Sequence, residues 1–442
     1  MKIPAYRLGL FAGLILICAS GAFALETAPD SVITLSECLA RLNSHSIQVA
    51  QALVGELRAQ SALDEANRPR LPQLVAQANF LQSSDVVNQA VDSNKAVLRV
   101  EQGTLPFFGS AWKLGIQKAA ELEVARSAVM ESRADAAFLV KQLYFSILRD
   151  QDTIEKLNAI ELELNRVLNT VLPKFQMGRA PSFDQVKVRS SIYDLSRQRE
   201  TTLAQLVGEK TQLRQIVGIE NGNFKLKEMP ADSVPKNESS ATQADEKMAL
   251  RNPTLTGLSL GVDASEASIS TASGARLPAL SAAFEYGGTG QTATALVRGY
   301  NAFVQLRLTL FDWGLISSQV SQAEHATTLA RQKLEAEKNR IFTELQTTQA
   351  LAHAHLADQQ RLFKILPEMK RAENAAVERY RRAGIGIIEL SDSVSLLLTT
   401  LLNERLAYYS YLGDLAHIKR LVGDRGGDNG GDEGVADGGR AP

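Results

Sequence analysis

Residues 110–172 carry one unbroken helical pattern, with no glycine or proline after Gly115, and few folds can accept such an element. At 1.5 Å per residue, about 63 residues reach roughly 95 Å, several times the length of a helix in a globular domain. A helix of this kind belongs in a coiled-coil rod. Pro173 and the run Gly178-Arg179-Ala180-Pro181 interrupt the pattern, because proline cannot continue the hydrogen-bond ladder. A return helix is expected over 182–217, ending at Gly218.

The plan then repeats. Arg70-Leu71-Pro72 returns as Arg276-Leu277-Pro278, an offset of 206 from Arg70 to Arg276. Thr104-Leu105 returns as Thr309-Leu310, and the turn from Phe175 to Asp184 returns as Tyr380 to Glu389, both at an offset of 205. Three landmarks at a nearly constant spacing mark an internal duplication. The organisation expected is a leader over 1–24, a first repeat over 25–218 and a linker over 219–245. A second repeat over 246–422 and a low-complexity, disordered tail over 423–442 complete it. The first repeat opens on a helix that Thr34 and Glu37 can cap as a capping box, and Asn252-Pro253 is an N-cap and first-turn pair for its counterpart. The second long helix is expected over 315–366 and its return helix over 387–422. Along it Ala330, Ile341, Ala352 and Phe363 recur every eleven residues, as do Ala323, Leu334, Leu345 and Leu356, a period that keeps a helix nearly straight.

Between the short and long helices of each repeat lies a pair of strand patterns, about 73–81 with 96–104 and about 280–286 with 300–310. Leu280, Ala282, Phe284 and Tyr286 alternate with Ser281, Ala283 and Glu285, giving one apolar and one polar face. The same alternation suits a half-buried sheet of a soluble protein. Here no other segment is left to cover the strands, which favours a membrane barrel with a wet lumen. Four strands cannot close a barrel, whereas three chains supply twelve. Phe107, Phe108, Phe311 and Trp313 stand at the strand-to-helix junctions, where an aromatic girdle would meet the membrane interface.

Lys2 and Arg7 precede the apolar run 8–17, and Ala22-Phe23-Ala24 is a small-x-small cleavage signal, so the chain reads as exported. No later stretch offers about 18 uninterrupted apolar residues, so any span of the membrane must be β. A formal charge of −1 argues against nucleic acid as a partner. With Cys18 in the leader, Cys38 stands alone and no intrachain disulfide is expected in the mature chain. His353 and His355 are two apart and point in different helical directions, a poor metal pair. Phosphate-loop, nucleophile-elbow and metal motifs are lacking, so neither enzyme activity nor a cofactor or metal is expected.

The layout of helix, hairpin, long helix, turn and return helix, run twice over about 33–423, resembles the TolC-like outer-membrane efflux proteins. The most specific matches are Lys174-Phe175-Gln176-Met177-Gly178 with Asp184, and Tyr380 with Glu389 and Asp392. The resemblance implies a mainly α fold with a small β-barrel part, namely long antiparallel coiled-coil helices plus four transmembrane strands per chain. It implies a homotrimer with a 12-stranded barrel and an α-helical tunnel, placed in the outer membrane of a Gram-negative type bacterium and lying mostly in the periplasm. The implied partners are outer-membrane lipid, a periplasmic adaptor (membrane fusion) protein and an inner-membrane transporter. The implied role is a passive exit duct of a tripartite efflux or type I secretion system. A soluble periplasmic coiled-coil adaptor or scaffold is the rival, although adaptors usually carry one such hairpin rather than two.

Glu389 and Asp392 fall on the family's two acidic positions around the tunnel entrance. Residues three apart share a helix face, so both can point into one pore, and rings of acids favour cations. By pattern alone two solvated surface acids is the favoured reading, and the position beside the turn together with the resemblance reverses it. The resemblance makes Asp184 and Tyr380 latch residues, with Arg381 and Arg382 nearby, because Ile385 occupies the place of the family's usual arginine. Gly178, Gly384 and Gly386 are read as the residues that let the two tips turn.

Overall fold

The protein was analysed as a computed structural model, which describes residues 31–80, 94–103, 110–178, 181–219, 224–227, 246–290, 294, 296–382 and 384–423. The leader, Phe107, Phe108, most of the linker and nearly all of the tail lie outside the described residues.

The first half contains β1 (Ser31–Ile33), α1 (Leu35–His45), α2 (Ile47–Asn67), β2 (Gln73–Asn79), β3 (Asn94–Gln102), α3 (Ser110–Gln176) and α4 (Ser182–Val217). The second contains β4 (Phe224–Leu226), α5 (Glu246–Ala249), α6 (Pro253–Gly274), β5 (Ala279–Gly290), β6 (Val297–Arg307), α7 (Leu315–Arg381) and α8 (Ile387–Leu421). Helix α3 packs on α2 and α4, α7 packs on α6 and α8, and α3 also meets α6 and α8 across the two halves.

Both long helices have 67 residues, or about 100 Å. Their packing follows seven-residue spacing. On α3 the buried residues Leu122, Val129, Ala136, Leu143, Asp150, Leu157, Leu164 and Val171 fall every seven positions, the signature of a helix held in a coiled coil. On α8 the series is Leu390, Leu397, Glu404, Tyr411 and Ile418. Helix α7 changes period along its length. Its eleven-residue series is buried or half-buried as far as Ala352 and Leu356, but Phe363, the next member, is exposed. Below it the packed residues are Leu366, Glu373 and Tyr380, with Met369 and Ala376, all at spacings of seven. A switch from eleven to seven takes a helix from nearly straight to left-handed supercoiling. The tip half of α7 is therefore its supercoiled half, while α3 keeps the seven-residue spacing throughout.

Two expected boundaries are corrected. Helix α3 does not stop at 172 but runs through Pro173 to Gln176, and α7 does not stop at 366 but runs through Pro367 to Arg381. A proline removes one intrahelical bond and crowds the preceding turn. At Pro173 the helix is almost finished. At Pro367 the neighbouring Leu366 and Met369 are anchored in the tip core, which holds the helix together across the gap. The helix expected from Thr34 is also divided, at Ser46, whose hydroxyl accepts from Val49 N at 3.5 Å to start α2. The capping box is present: Thr34 N donates to Glu37 at 2.9 Å and Glu37 N to Thr34 at 3.3 Å. Asn252 caps α6 through Thr254 N at 2.8 Å, and its amide donates to Leu421 O at 3.0 Å, joining the start of α6 to the end of α8.

The stretch expected as a linker contains β4, which pairs in parallel with β1. Phe224 and Leu226 are buried beside Ile33, and Tyr144 donates to Lys227 O at 2.5 Å, so this small sheet closes the core around Val140 and Ile147.

The other four strands make one antiparallel sheet in the order β2-β3-β5-β6. In the first pair β2 ends at Asn79 rather than 81 and β3 spans Asn94–Gln102 rather than 96–104; in the second β5 extends to Gly290, and β6 starts at Val297 and ends at Arg307 rather than 310. The register puts Leu98 opposite Tyr286, Val100 opposite Phe284, and Phe284 opposite Ala302, so one face is apolar. Leu74, Leu98, Phe284, Tyr300, Val304 and Leu306 are exposed on it. The opposite face carries Lys95, Arg99, Glu101, Glu285, Asn301 and Gln305. There Glu285, 3% exposed, takes Lys95 at 2.6 Å and Arg99 at 2.5 Å. An edge strand left at each side, β2 and β6, offers unpaired backbone to another chain. Among the described residues no helix is long and apolar enough to cross a membrane.

Candidate functional site: the double tip

The ends of the α3–α4 and α7–α8 hairpins lie side by side and share one apolar core. It contains Leu164 and Val171 of α3, Val188 of α4, Tyr380 of α7, and Ile387, Leu390 and Val394 of α8. Sequence periodicity aims these residues at one another; burying each apolar side chain contributes about 1.5–3 kcal/mol before entropy is counted.

Tyr380, in the last turn of α7, is 5% exposed and donates its hydroxyl to Asp184 Oδ2 at 3.0 Å. Asp184 is in the first turn of α4, where the helix dipole favours a carboxylate. Burial, and then the Asp184 carboxylate, push the phenol pKa upward, so Tyr380 remains a donor throughout the physiological range. The bond ties the two hairpins of one chain together. Ile385 packs against the shared core instead of adding a charge. Arg381 does not reach Asp184 but pairs with Glu378 on its own helix at 2.7 Å, and Arg382 is exposed at the C-cap.

Glu389 and Asp392 are both exposed, while Ile387, Leu390, Ser391 and Val394 are buried. The two acids thus share the face of α8 turned away from the rod's own core. Their first-hairpin counterpart carries one acid, Asp184, and that acid faces Tyr380.

The glycines differ. Gly178 has φ of 68°, in the left-handed region, and closes the first tip by donating to Phe175 O at 2.9 Å. Gly384 and Gly386 have no positive φ. Gly384 donates to Arg379 O at 2.8 Å, and a Cβ on Gly386 would meet nothing within 4 Å. Of the three turn glycines, Gly178 alone has a backbone in the left-handed region. Gly178→Ala costs about 1–2 kcal/mol, whereas Gly386→Ala, at the N-cap of α8 where the backbone is ordinary and the space open, costs only about 0.5 kcal/mol. Thermal unfolding of the two variants checks the difference; equal destabilisation would contradict it.

One tip residue has a part that sequence reading did not give it. Lys174, in the last turn of α3, donates to Tyr380 O at 2.9 Å and to Arg381 O at 3.0 Å. Two further ties went unseen. Tyr409 of α8 donates to Asp152 of α3 at 3.0 Å, and His355 of α7 pairs with Asp414 of α8 at 2.7 Å. Phe311 and Trp313 are outside β6, exposed and in edge-to-face contact, 4.8 Å between ring centres. Among the described residues no group of three or more histidines, cysteines or acids is placed to hold a metal.

Residues 246–424 match the family model described as outer membrane efflux protein. Outer membrane protein TolC of Vibrio cholerae is 23% identical over 298 residues, covering 64% of this chain and 66% of that relative, just under two thirds of its length. Among solved structures, CusC superposes with a TM-score of 0.79 at 14% identity, over 88% of this chain and 91% of that one. The CmeC outer membrane channel of Campylobacter jejuni gives 0.76 at 14% identity, over 95% and 94%. These structural likenesses show the fold, mainly helical with a few strands, and by sequence the second half of the chain is similar to the outer membrane efflux proteins.

Proposed function

We propose that the protein is a passive exit duct of the outer membrane, built from three copies of this chain and closed at its periplasmic tip. One observation carries the reading: a sheet with an exposed apolar face, a polar opposite face and two unpaired edges, whose strands β3 and β6 are each followed in the chain by a 67-residue helix. A two-faced sheet with open edges is complete only when other strands close it, and three copies give twelve strands. The apolar face then meets lipid and the charged face a wet lumen. The helices continue the barrel as a tunnel, and Glu389 and Asp392 line its narrow end. Energy comes from an inner-membrane transporter reached through a periplasmic adaptor, in a tripartite efflux or type I secretion system. A soluble scaffold would leave Leu74, Leu98, Tyr300, Val304 and Leu306 in water.

Fractionation tests this. The full chain is expected in the outer membrane as an oligomer that runs as a large band unheated and as a monomer after boiling. Recovery as a soluble monomer would overturn it.

A further inference from the structure

Tyr380 is gripped twice, and the proposed gate accounts for one of the two grips. Its hydroxyl reaches Asp184 of α4. Its carbonyl and ring are both held by Lys174 of α3: the ammonium donates to Tyr380 O at 2.9 Å and lies 4.9 Å from the ring centre. The same ammonium takes Arg381 O at 3.0 Å. These are among the last carbonyls of α7, at the negative end of that helix, where a cation is favoured. Hairpin one therefore holds the end of hairpin two from both of its own arms, by the carboxylate of α4 and by the ammonium of α3.

We infer that Lys174 is a positioning residue of the gate, fixing the end of α7 so that the Tyr380 hydroxyl points at Asp184. The inference rests on the reading of this tip as the closed end of a channel. Swinging α7 and α8 away would take Tyr380 O, Arg381 O and the ring from Lys174 together. The counterpart of Lys174 in the other repeat is an arginine, Arg379, rather than a second lysine.

Planar-bilayer recording of the purified full-length oligomer tests this with Lys174→Met, Lys174→Arg, Tyr380→Phe and the Lys174→Met/Tyr380→Phe pair. Methionine keeps the stem and removes the charge; arginine keeps the charge and the donors. Lys174→Met is expected to raise the open fraction about tenfold, the scale on which a charged hydrogen bond moves a two-state equilibrium. Lys174→Arg is expected to restore most of the closure. The double variant is expected to open less than the product of the single effects, because both act on one residue. If Lys174→Met leaves the open fraction unchanged while Tyr380→Phe raises it, or if it only lowers the oligomer's melting temperature, Lys174 is no more than a helix cap and the inference fails with the gate intact. If every variant conducts as the unaltered protein does, the gate itself fails. Should Lys174→Met not assemble, Lys174→Gln is read in the same way.

Discussion

Replacing both acids at the start of α8, in Glu389→Ala/Asp392→Ala, should remove the channel's preference for cations and its block by multivalent cations. The two side chains share the exposed face of α8, and in the proposed trimer three copies would bring six carboxylates around one axis. Charges of one sign in a narrow cleft raise the local counter-ion concentration by about tenfold to a thousandfold, and the lower end is the sensible expectation for a hydrated site. At physiological salt the screening length is about 8 Å, so the preference should weaken as salt is raised. Each single alanine variant should keep part of it. Folding should be unaffected to within about 0.5 kcal/mol, since neither acid touches the tip core. Reversal potentials across a salt gradient give the answer directly, and unchanged selectivity in the double variant would rule out these acids as the constriction.

Glu285→Leu should be the most destabilising single change in the sheet. Glu285 is nearly inaccessible and neutralises Lys95 and Arg99 at once, while Arg99 also reaches Glu101 at 3.4 Å and lies over Phe303. Removing one member of a buried ion pair leaves an uncompensated charge and usually costs about 3–5 kcal/mol. Lys95 and Arg99 are each 27% exposed, so water recovers part of this and about 2–3 kcal/mol per chain is expected. Lys95→Met should cost less, because Arg99 still serves the carboxylate. The temperature at which the unheated oligomer dissociates reports both effects. An oligomer of Glu285→Leu as heat-resistant as the unaltered protein would show that the network does not hold the sheet.

The features legible in the sequence are those written locally. Thr34 and Glu37 announce a capping box, Asn252 a cap, and the alternation of residues 280–286 a two-faced strand, because each signal lies within one turn or one strand. Tyr380 and Asp184 could be paired only through the internal repeat and the family resemblance, which set the two tips side by side. What stayed hidden depends on distant partners. Three-residue strands such as β1 and β4 carry too little pattern to betray a pairing between residues 31–33 and 224–226. The prolines misled because a helix's end is decided by what its neighbours bury, as Leu366 and Met369 show. The seven-residue series of α3 was masked by Asp150, a charged residue at a core position, whose Oδ1 takes Arg149 at 2.8 Å. Lys174 looked like an ordinary last-turn lysine, since nothing near it in sequence shows that it serves another helix.

The most direct measurement of the whole account is single-channel recording on the purified, full-length oligomer taken from the outer membrane. It should produce discrete, cation-selective steps, small at rest because the tip is latched. A folded oligomer that inserts into the bilayer and yields no discrete conductance would contradict the reading of this chain as a duct.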